Sequence, residues 1–236
     1  MIQPARPIIV VIIPAFNEEN SVGAVVREIP AGWVAEVIVV NNNSNDQTAV
    51  MAARAGATVL HESTPGYGRA CLCGMAYAQN RQQKPDIVVF LDADYSDYPT
   101  DLPDLLAPIL ANTADLVIGS RALGQREAGS MTPQQLVGNW LATRLIWWLY
   151  GVRFTDLGPF RAIRYQHLLA LAMEDKTYGW TVEMQIKAAK AGLRCAEVPV
   201  RYRRRIGHSK ISGTVRGTLL AGYKILSTIA KYSGPG

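Results

Sequence analysis

The stretch DIVVFLDADYSD, residues 86–97, decides the reading of this chain. Six residues, Asp86 to Leu91, form a mostly apolar, β-branched run that ends on Asp92, Ala93 and Asp94. A run that is continuous rather than alternating suits a strand covered on both faces, as in a parallel sheet sandwiched by helices. Similar runs lie on either side: IIVVII (8–13), EVIVV (36–40), ATVLH (57–61) and DLVIGS (115–120). Helical patterns at 20–29, 46–55, 68–80 and 101–112 alternate with them. The expected fold is α/β, with a mostly parallel central sheet flanked by helices and a Rossmann-like nucleotide-binding half.

In open sheets of this kind ligands lie at the carboxyl ends of the strands. Four of the five ends are polar: PAFNEEN (14–20), NNNSND (41–46), DADYSD (92–97) and Arg121. Two carboxylates two residues apart, where strand gives way to loop, suit one hard divalent cation that keeps coordination sites for phosphate oxygens. An acidic helix-capping loop is the other reading of Asp92 and Asp94. GYGRAC (66–71) begins like a dinucleotide fingerprint, but Cys71 replaces the third glycine and the preceding strand is the third. Gly66 and Gly68 are instead expected to let the backbone approach a ligand at a helix start, where free amides favour anions.

The chain has 236 residues, 49% of them hydrophobic, which suits one compact domain and excludes a disordered chain. Its formal charge of +5 is unevenly spread. Residues 1–140 hold 8 basic and 14 acidic groups, net −6, whereas 141–236 hold 16 basic and 5 acidic groups, net +11. An anionic partner for the second half is expected. Five cations lie in RYRRRIGHSK (201–210), with Gly207 and Ser209 among them, as in a loop that folds around a phosphate; a solvated charge run is the alternative. Cys71, Cys73 and Cys195 do not form a disulfide framework, which fits a reducing cytosol. No apolar stretch approaches the ~20 residues of a membrane span.

Thr132, Pro133 and Gln135 predict an N-cap, a first-turn proline and a capping box opening a helix to about Tyr150. Its Trp140, Trp147 and Trp148 are expected to pack in a core or against a domain; a face toward lipid or a partner is the alternative. Thr181–Ala191 reads as a helix and Arg194–Tyr202 as a strand. Gly213–Tyr232 reads as a basic amphipathic helix that either caps the core or lies on an anionic membrane.

Eight ordered motifs together resemble the family 2 glycosyltransferases, in particular the dolichyl-phosphate mannose and glucose synthase branch. They are VIIPAFNEEN, VVNNNSND, GYGRACLCGM, FLDADYSD, VIGSR, FTDLGPFRAIR, YGWTVEMQIKA and EVPVRYRRRIGHSKISG. The resemblance implies a GT-A fold over 1–212, with 213–236 as a C-terminal amphipathic helical extension. It implies a nucleotide diphosphate sugar donor, UDP- or GDP-linked, and Mg²⁺ or Mn²⁺ held by Asp92 and Asp94. Pro14, Phe16, Asn17, Glu18, Asn41 and Asn42 would line the nucleotide pocket, with Gly68 close to the donor. Arg121, Arg204, Arg205, Ser209 and Lys210 would face phosphates, and Asp156 and Glu183 would lie near the sugar. Asp94, Glu183 and Arg121 carry the expected catalytic roles. Asn41-Asn42 stands where the family often has an Asp pair, and Gly158-Pro159-Phe160-Arg161 where Ser-Gly-Phe-Arg is usual.

The expected activity is inverting hexosyl transfer to a polyprenyl or dolichyl phosphate, at the cytoplasmic membrane face. Transfer to a hydroxyl acceptor and silent nucleotide-sugar binding are the alternatives. A nucleic-acid partner is not expected, because the acidic strand ends would repel it.

Overall fold

The computed structural model describes residues 6–207 and 215–232, with side chains omitted for 215–221. One seven-stranded sheet organises the chain, in the order β3-β2-β1-β4-β6-β5-β7. Its strands are β1 (Ile9–Ala15), β2 (Glu36–Asn41), β3 (Thr58–His61), β4 (Ile87–Phe90), β5 (Leu116–Ser120), β6 (Arg161–Arg164) and β7 (Cys195–Pro199). The helices are α1 (Val22–Glu28), α2 (Thr48–Arg54), α3 (Tyr67–Asn80), α4 (Leu102–Leu110), α5 (Pro133–Tyr150), α6 (Tyr165–Ala170), α7 (Trp180–Lys190) and α8 (Val215–Lys231). The expected α/β architecture is what the chain adopts.

Alternate residues of each strand face opposite layers. Val10, Ile12, Ile38, Val40, Val88 and Phe90 meet α3, α5 and α7, with Trp180 set edge-on to Phe90 at 5.7 Å between ring centroids. Ile9, Val11, Ile13, Val39, Ile87 and Val89 meet α1, α2 and α4 on the other side. Two-sided burial is why these strands read as continuous apolar runs.

Strand β6 and helix α6 were not anticipated. β6 is antiparallel to both neighbours, with Arg161 opposite Phe90 on one side and Ile118 on the other. Its sequence is only RAIR, and Arg161 is fully buried. The guanidinium donates to the carbonyls of Leu157, Gly158 and Thr181, which makes a central arginine tolerable. Burial nevertheless lowers its pKa to about 10. By running backward, β6 brings the segment before it, 154–160, to the carboxyl end of the parallel strands.

The capping box of α5 forms as expected: Gln135 N donates to Thr132 Oγ1 at 3.3 Å, and Thr132 N to Gln135 Oε1 at 2.8 Å. The tryptophans do not pack as expected. Trp140 is 59% and Trp148 79% exposed, because α5 turns Ala142, Thr143 and Ile146 inward instead. Helix α8 packs on α5 and α7 and buries Ile229. Its Lys224 and Lys231 pair with Asp175 and Glu174, so these two cations serve the core-capping role rather than a free basic face. No described helix is long and apolar enough to cross a membrane. The expected boundary at 212/213 lies outside the described residues.

The start of α3 departs most clearly from its sequence reading. Gly68 N donates to Thr177 O and Arg69 N to Lys176 O, both at 3.2 Å, so these amides are taken by the chain itself. A Cβ on Gly66 would lie 2.2 Å from Lys176 O, and one on Gly68 2.0 Å from Asp175 O. The glycines therefore admit the 175–177 turn, not an anion. Gly68→Ala is expected to destabilise the fold by about 1–3 kcal/mol, read calorimetrically as a fall of roughly 2–4 °C per kcal/mol. An unchanged melting temperature would show that the turn is not seated there.

Candidate active site

The strand ends and the seated turn enclose a cleft of about 240 Å³. Pro14 lies at the end of β1 and Phe16 and Glu18 follow it, Asn42 follows β2, Pro65 to Tyr67 open α3, Asp92 and Asp94 follow β4, and Tyr178 and Arg205 complete the wall. Seven residues expected from sequence thus come together: Pro14, Phe16, Glu18, Asn42, Asp92, Asp94 and Arg205. Pro65, Tyr67 and Tyr178 were missed as wall residues, although GYGRAC and YGWTVEM contain the two tyrosines.

The two loops at the mouth are tied together before any ligand binds. Asn17 takes a left-handed backbone (φ 53°); its amide donates to Ser44 Oγ and its Oδ1 accepts from Asn45 N. Glu18 N donates to Thr48 Oγ1 at 2.8 Å. Asn42 donates to the carbonyls of Glu62 and Thr64 and accepts from Gly66 N at 2.7 Å, so its amide orders the 62–66 loop. Asn41 is buried beside His61, at 3.3 Å between Nδ2 and Nδ1, and its Oδ1 has no hydrogen-bond partner among the described residues.

Tyr67 donates to Asp92 Oδ1 at 3.0 Å and fixes that carboxylate. Burial raises the Asp92 pKa, against the Tyr67 hydrogen bond and the nearby charges of Arg205 and Arg121. Asp94 Oδ1 accepts from Ser96 N and Oγ, while its Oδ2 is paired with the Arg205 guanidinium. Ile206 N donates to Asp94 O, and Arg203 N to Ser96 O, so the basic segment is laced along the acidic loop. Arg203 stacks on Tyr95 and Tyr98 and reaches Glu28.

The pair Asp92 and Asp94 fits a hard cation on its donor chemistry, and Arg205 already sets a positive group on Asp94. No group of three or more His, Cys, Asp or Glu that could hold a metal occurs among the described residues. A divalent ion here would therefore complete its shell with water and ligand oxygens.

Four other expected residues stand elsewhere. Arg121 does not line the cleft: Nε and Nη2 donate to the two oxygens of buried Asp156 at 2.8 and 2.7 Å, and Tyr202 lies under the guanidinium. Burial disfavours the Arg121 charge, but Asp156 outweighs it and the pKa rises. Asp156 is thereby committed to an internal ion pair rather than to the cleft. Arg204 is exposed and donates from Nε to Ala128 O, on the loop before α5. Glu183 is fully buried, accepting from Glu174 N at 2.9 Å, Asp175 N at 2.7 Å and the Tyr232 hydroxyl at 2.8 Å, with Lys187 in an ion pair. It braces the turn that carries Tyr178 rather than facing the cleft. Ser209 and Lys210, like His208, lie outside the described residues.

A doubly wound sheet with paired carboxylates after its fourth strand puts the cleft at the carboxyl ends, where α/β folds bind their ligands. The chain belongs to glycosyl transferase family 2, whose model matches residues 10–169, and it is a glycosyltransferase. An uncharacterised glycosyltransferase of Mycobacterium tuberculosis is 40% identical over 221 residues, covering 90% of this chain and 94% of the relative. An undecaprenyl-phosphate mannosyltransferase of Micrococcus luteus is 32% identical over 239 residues, covering 96% of each. The glucosyl-3-phosphoglycerate synthase of M. tuberculosis, solved with Mn²⁺, UDP-glucose and phosphoglyceric acid, superposes with a TM-score of 0.76. It is 23% identical and the match covers 98% of this chain and 81% of that one, a likeness of fold.

Asp97 is a further acidic group that sequence reading left without a role. It is 2% exposed, and neither oxygen has a hydrogen-bond partner among the described residues. Burial, then the neighbouring Asp92 charge, raise its pKa from 3.8 to about 8. The folded state therefore holds a proton that the unfolded chain has already lost, so stability falls as pH rises from about 4 through about 8. In metal-free protein, Asp97→Asn is expected to raise the melting temperature at pH 9 well above its effect at pH 4. Equal shifts at both pH values would show that Asp97 ionises normally.

Proposed function

We propose that this glycosyltransferase moves a hexosyl group, with inversion, from a nucleotide diphosphate sugar to a polyprenyl phosphate at a membrane surface. The observation that carries the reading is the cleft in which Asp92, Asp94 and Arg205 meet beneath the loops of β1 and β2. The carboxylates suit Mg²⁺ or Mn²⁺. Such an ion supplies electrostatic stabilisation of a leaving diphosphate, a contribution that often dominates catalysis.

The protein's own groups have separate tasks in this scheme. Tyr67 orients Asp92 and Ser96 orients Asp94, so the two carboxylates that would hold the cation are positioned by the chain itself. Arg205, released from Asp94, offers a fork-shaped donor to diphosphate oxygens. Pro14, Phe16 and Tyr178 give the cleft apolar and aromatic walls for the base and sugar. Glu183 acts as a positioning residue, through the two backbone amides it binds.

The acceptor follows from the chemistry of ionisation. A phosphate monoester with a second pKa of about 6 is largely dianionic at neutral pH, so attack needs no general base. No carboxylate free to serve as a base is required of Glu183, whose oxygens are engaged. The mannosyltransferase relative, named for undecaprenyl phosphate and matched over nearly its full length, supports the lipid acceptor. Transfer to a hydroxyl of a small phosphorylated acid is the second reading, favoured by the fold neighbour solved with phosphoglyceric acid.

A panel of UDP- and GDP-hexoses, each offered with polyprenyl phosphate or with phosphoglycerate and either metal, separates these readings. Transfer to the polyprenyl phosphate alone is expected; product on phosphoglycerate alone would replace the acceptor. Asp92→Asn and Asp94→Asn are each expected to cut metal-dependent transfer at least about 100-fold, with the circular dichroism spectrum unchanged. Full turnover in chelator, or in either variant, would remove the metal role.

A further inference from the structure

Helix α5 is apolar on more than the side it buries. Ala142, Thr143 and Ile146 face the core, while Val137, Trp140, Leu141 and Trp148 form an exposed stripe along the opposite side. A helix that is apolar on both sides is ordinarily enclosed, so the stripe is a face whose partner is not within the described residues. Its charges are of one sign: from Ala128 to Thr155 there is no Asp or Glu, and Arg144 and Arg153 are the only charged residues. Both arginines are exposed and lie over tryptophan rings, Arg144 at 5.6 Å and Arg153 at 4.4 Å from the Trp147 centroid. Neither meets a carboxylate among the described residues. The loop leading into α5 carries exposed Arg126 and Arg204 together with exposed Glu127, so the uncompensated charge of this face is that of Arg144 and Arg153.

We propose that this face of α5 is a docking surface for an anionic lipid bilayer, with the helix lying in the plane of the interface. Tryptophans prefer the headgroup boundary, where an apolar ring and a polar N–H are both accommodated. Arginines beside them keep their stems on the apolar surface and their guanidinium groups in the headgroup layer. A protein partner with a desolvated apolar core would leave Arg144 buried between the tryptophans without a counter-charge, whereas lipid phosphates supply one at that depth. The 18 residues of α5 are set along the protein surface by the Asn139 contacts to Thr155 O and Leu157 N, which excludes a spanning pose. This surface gives a location to the membrane encounter in the proposed lipid-acceptor reading, on which its purpose rests.

The test is sedimentation of the whole protein with vesicles of phosphatidylcholine alone, or with one third phosphatidylglycerol, followed by tryptophan emission. Binding is expected to need the anionic lipid and to shift the emission to shorter wavelength. Trp140→Ser with Trp148→Ser is expected to weaken it about tenfold or more, and Arg144→Gln or Arg153→Gln about fivefold each. Absence of binding, or binding indifferent to these substitutions, overturns the proposal. So does a dimer in solution that the tryptophan substitutions dissociate, since a second copy would then cover the stripe. Transfer to a short-chain, water-soluble polyprenyl phosphate should persist in the tryptophan variants while transfer to long-chain acceptor in vesicles falls. Vesicle binding as expected, with no transfer to either acceptor by the unmodified protein, would leave the docking surface standing and remove the lipid-acceptor reading.

Discussion

Burial of the central sheet on both faces governs where polar chemistry can stand. Each strand gives alternate side chains to two apolar layers, and a carboxylate within either would face a severe desolvation cost. The strand ends escape this constraint because the backbone turns away there. Asp92 and Asp94 follow β4 at once, Asn41 and Asn42 close β2, and Phe16 and Glu18 follow β1. Parallel pairing of these strands puts all three ends on one side. The cleft is thus a consequence of sheet topology before any residue in it is considered.

The same constraint explains which parts of the fold were legible. Strands β1 to β5 announce themselves because both faces demand apolar residues, and α5 because its capping box is local. β6 is silent because Arg161 occupies a core position that only distant carbonyls make acceptable, Thr181 among them. The site shows the same division. The carboxylates and mouth loops are readable at strand ends, but Gly66 and Gly68 are not, since the turn that fills their space comes from residues more than 100 positions later. Glu183 belongs to a recognisable motif, yet its orientation is set by the turn amides of Glu174 and Asp175 and by Tyr232.

The unequal charge of the two halves also acquires a structural meaning. Much of the positive excess after residue 140 meets carboxylates from before it: Arg194 with Asp115, Arg201 with Asp101, Arg203 with Glu28 and Arg205 with Asp94. The first pair ties the start of β7 to the start of β5, at the end of the sheet away from the cleft, whereas the other three fasten the segment after β7 to the first half and set Arg205 in the cleft wall. Charge asymmetry is consumed in assembly. Among the described residues after 140, Arg144, Arg153, Lys176 and Arg204 stay exposed with no carboxylate on the side chain, the first two beside the Trp stripe.

The Trp stripe lies on an element in contact with the machinery that shapes the cleft. Asn139 of α5 holds the backbone at Thr155 and Leu157, on either side of the Asp156 that engages Arg121. On another side, Tyr150 of α5 donates to Ile229 O of α8, whose Lys224 and Lys231 grip Asp175 and Glu174. The turn so held seats its carbonyls on the first amides of α3 and continues directly into Tyr178 at the cleft wall. Hydrogen-bonded contacts therefore run from α5 to the Arg121–Asp156 pair outside the cleft and, through α8, to the turn that leads into Tyr178 at its wall. Under the proposed reading, a surface that orients α5 also orients the Tyr178 wall of the cleft, an arrangement that suits one substrate arriving from solution and the other from a lipid layer.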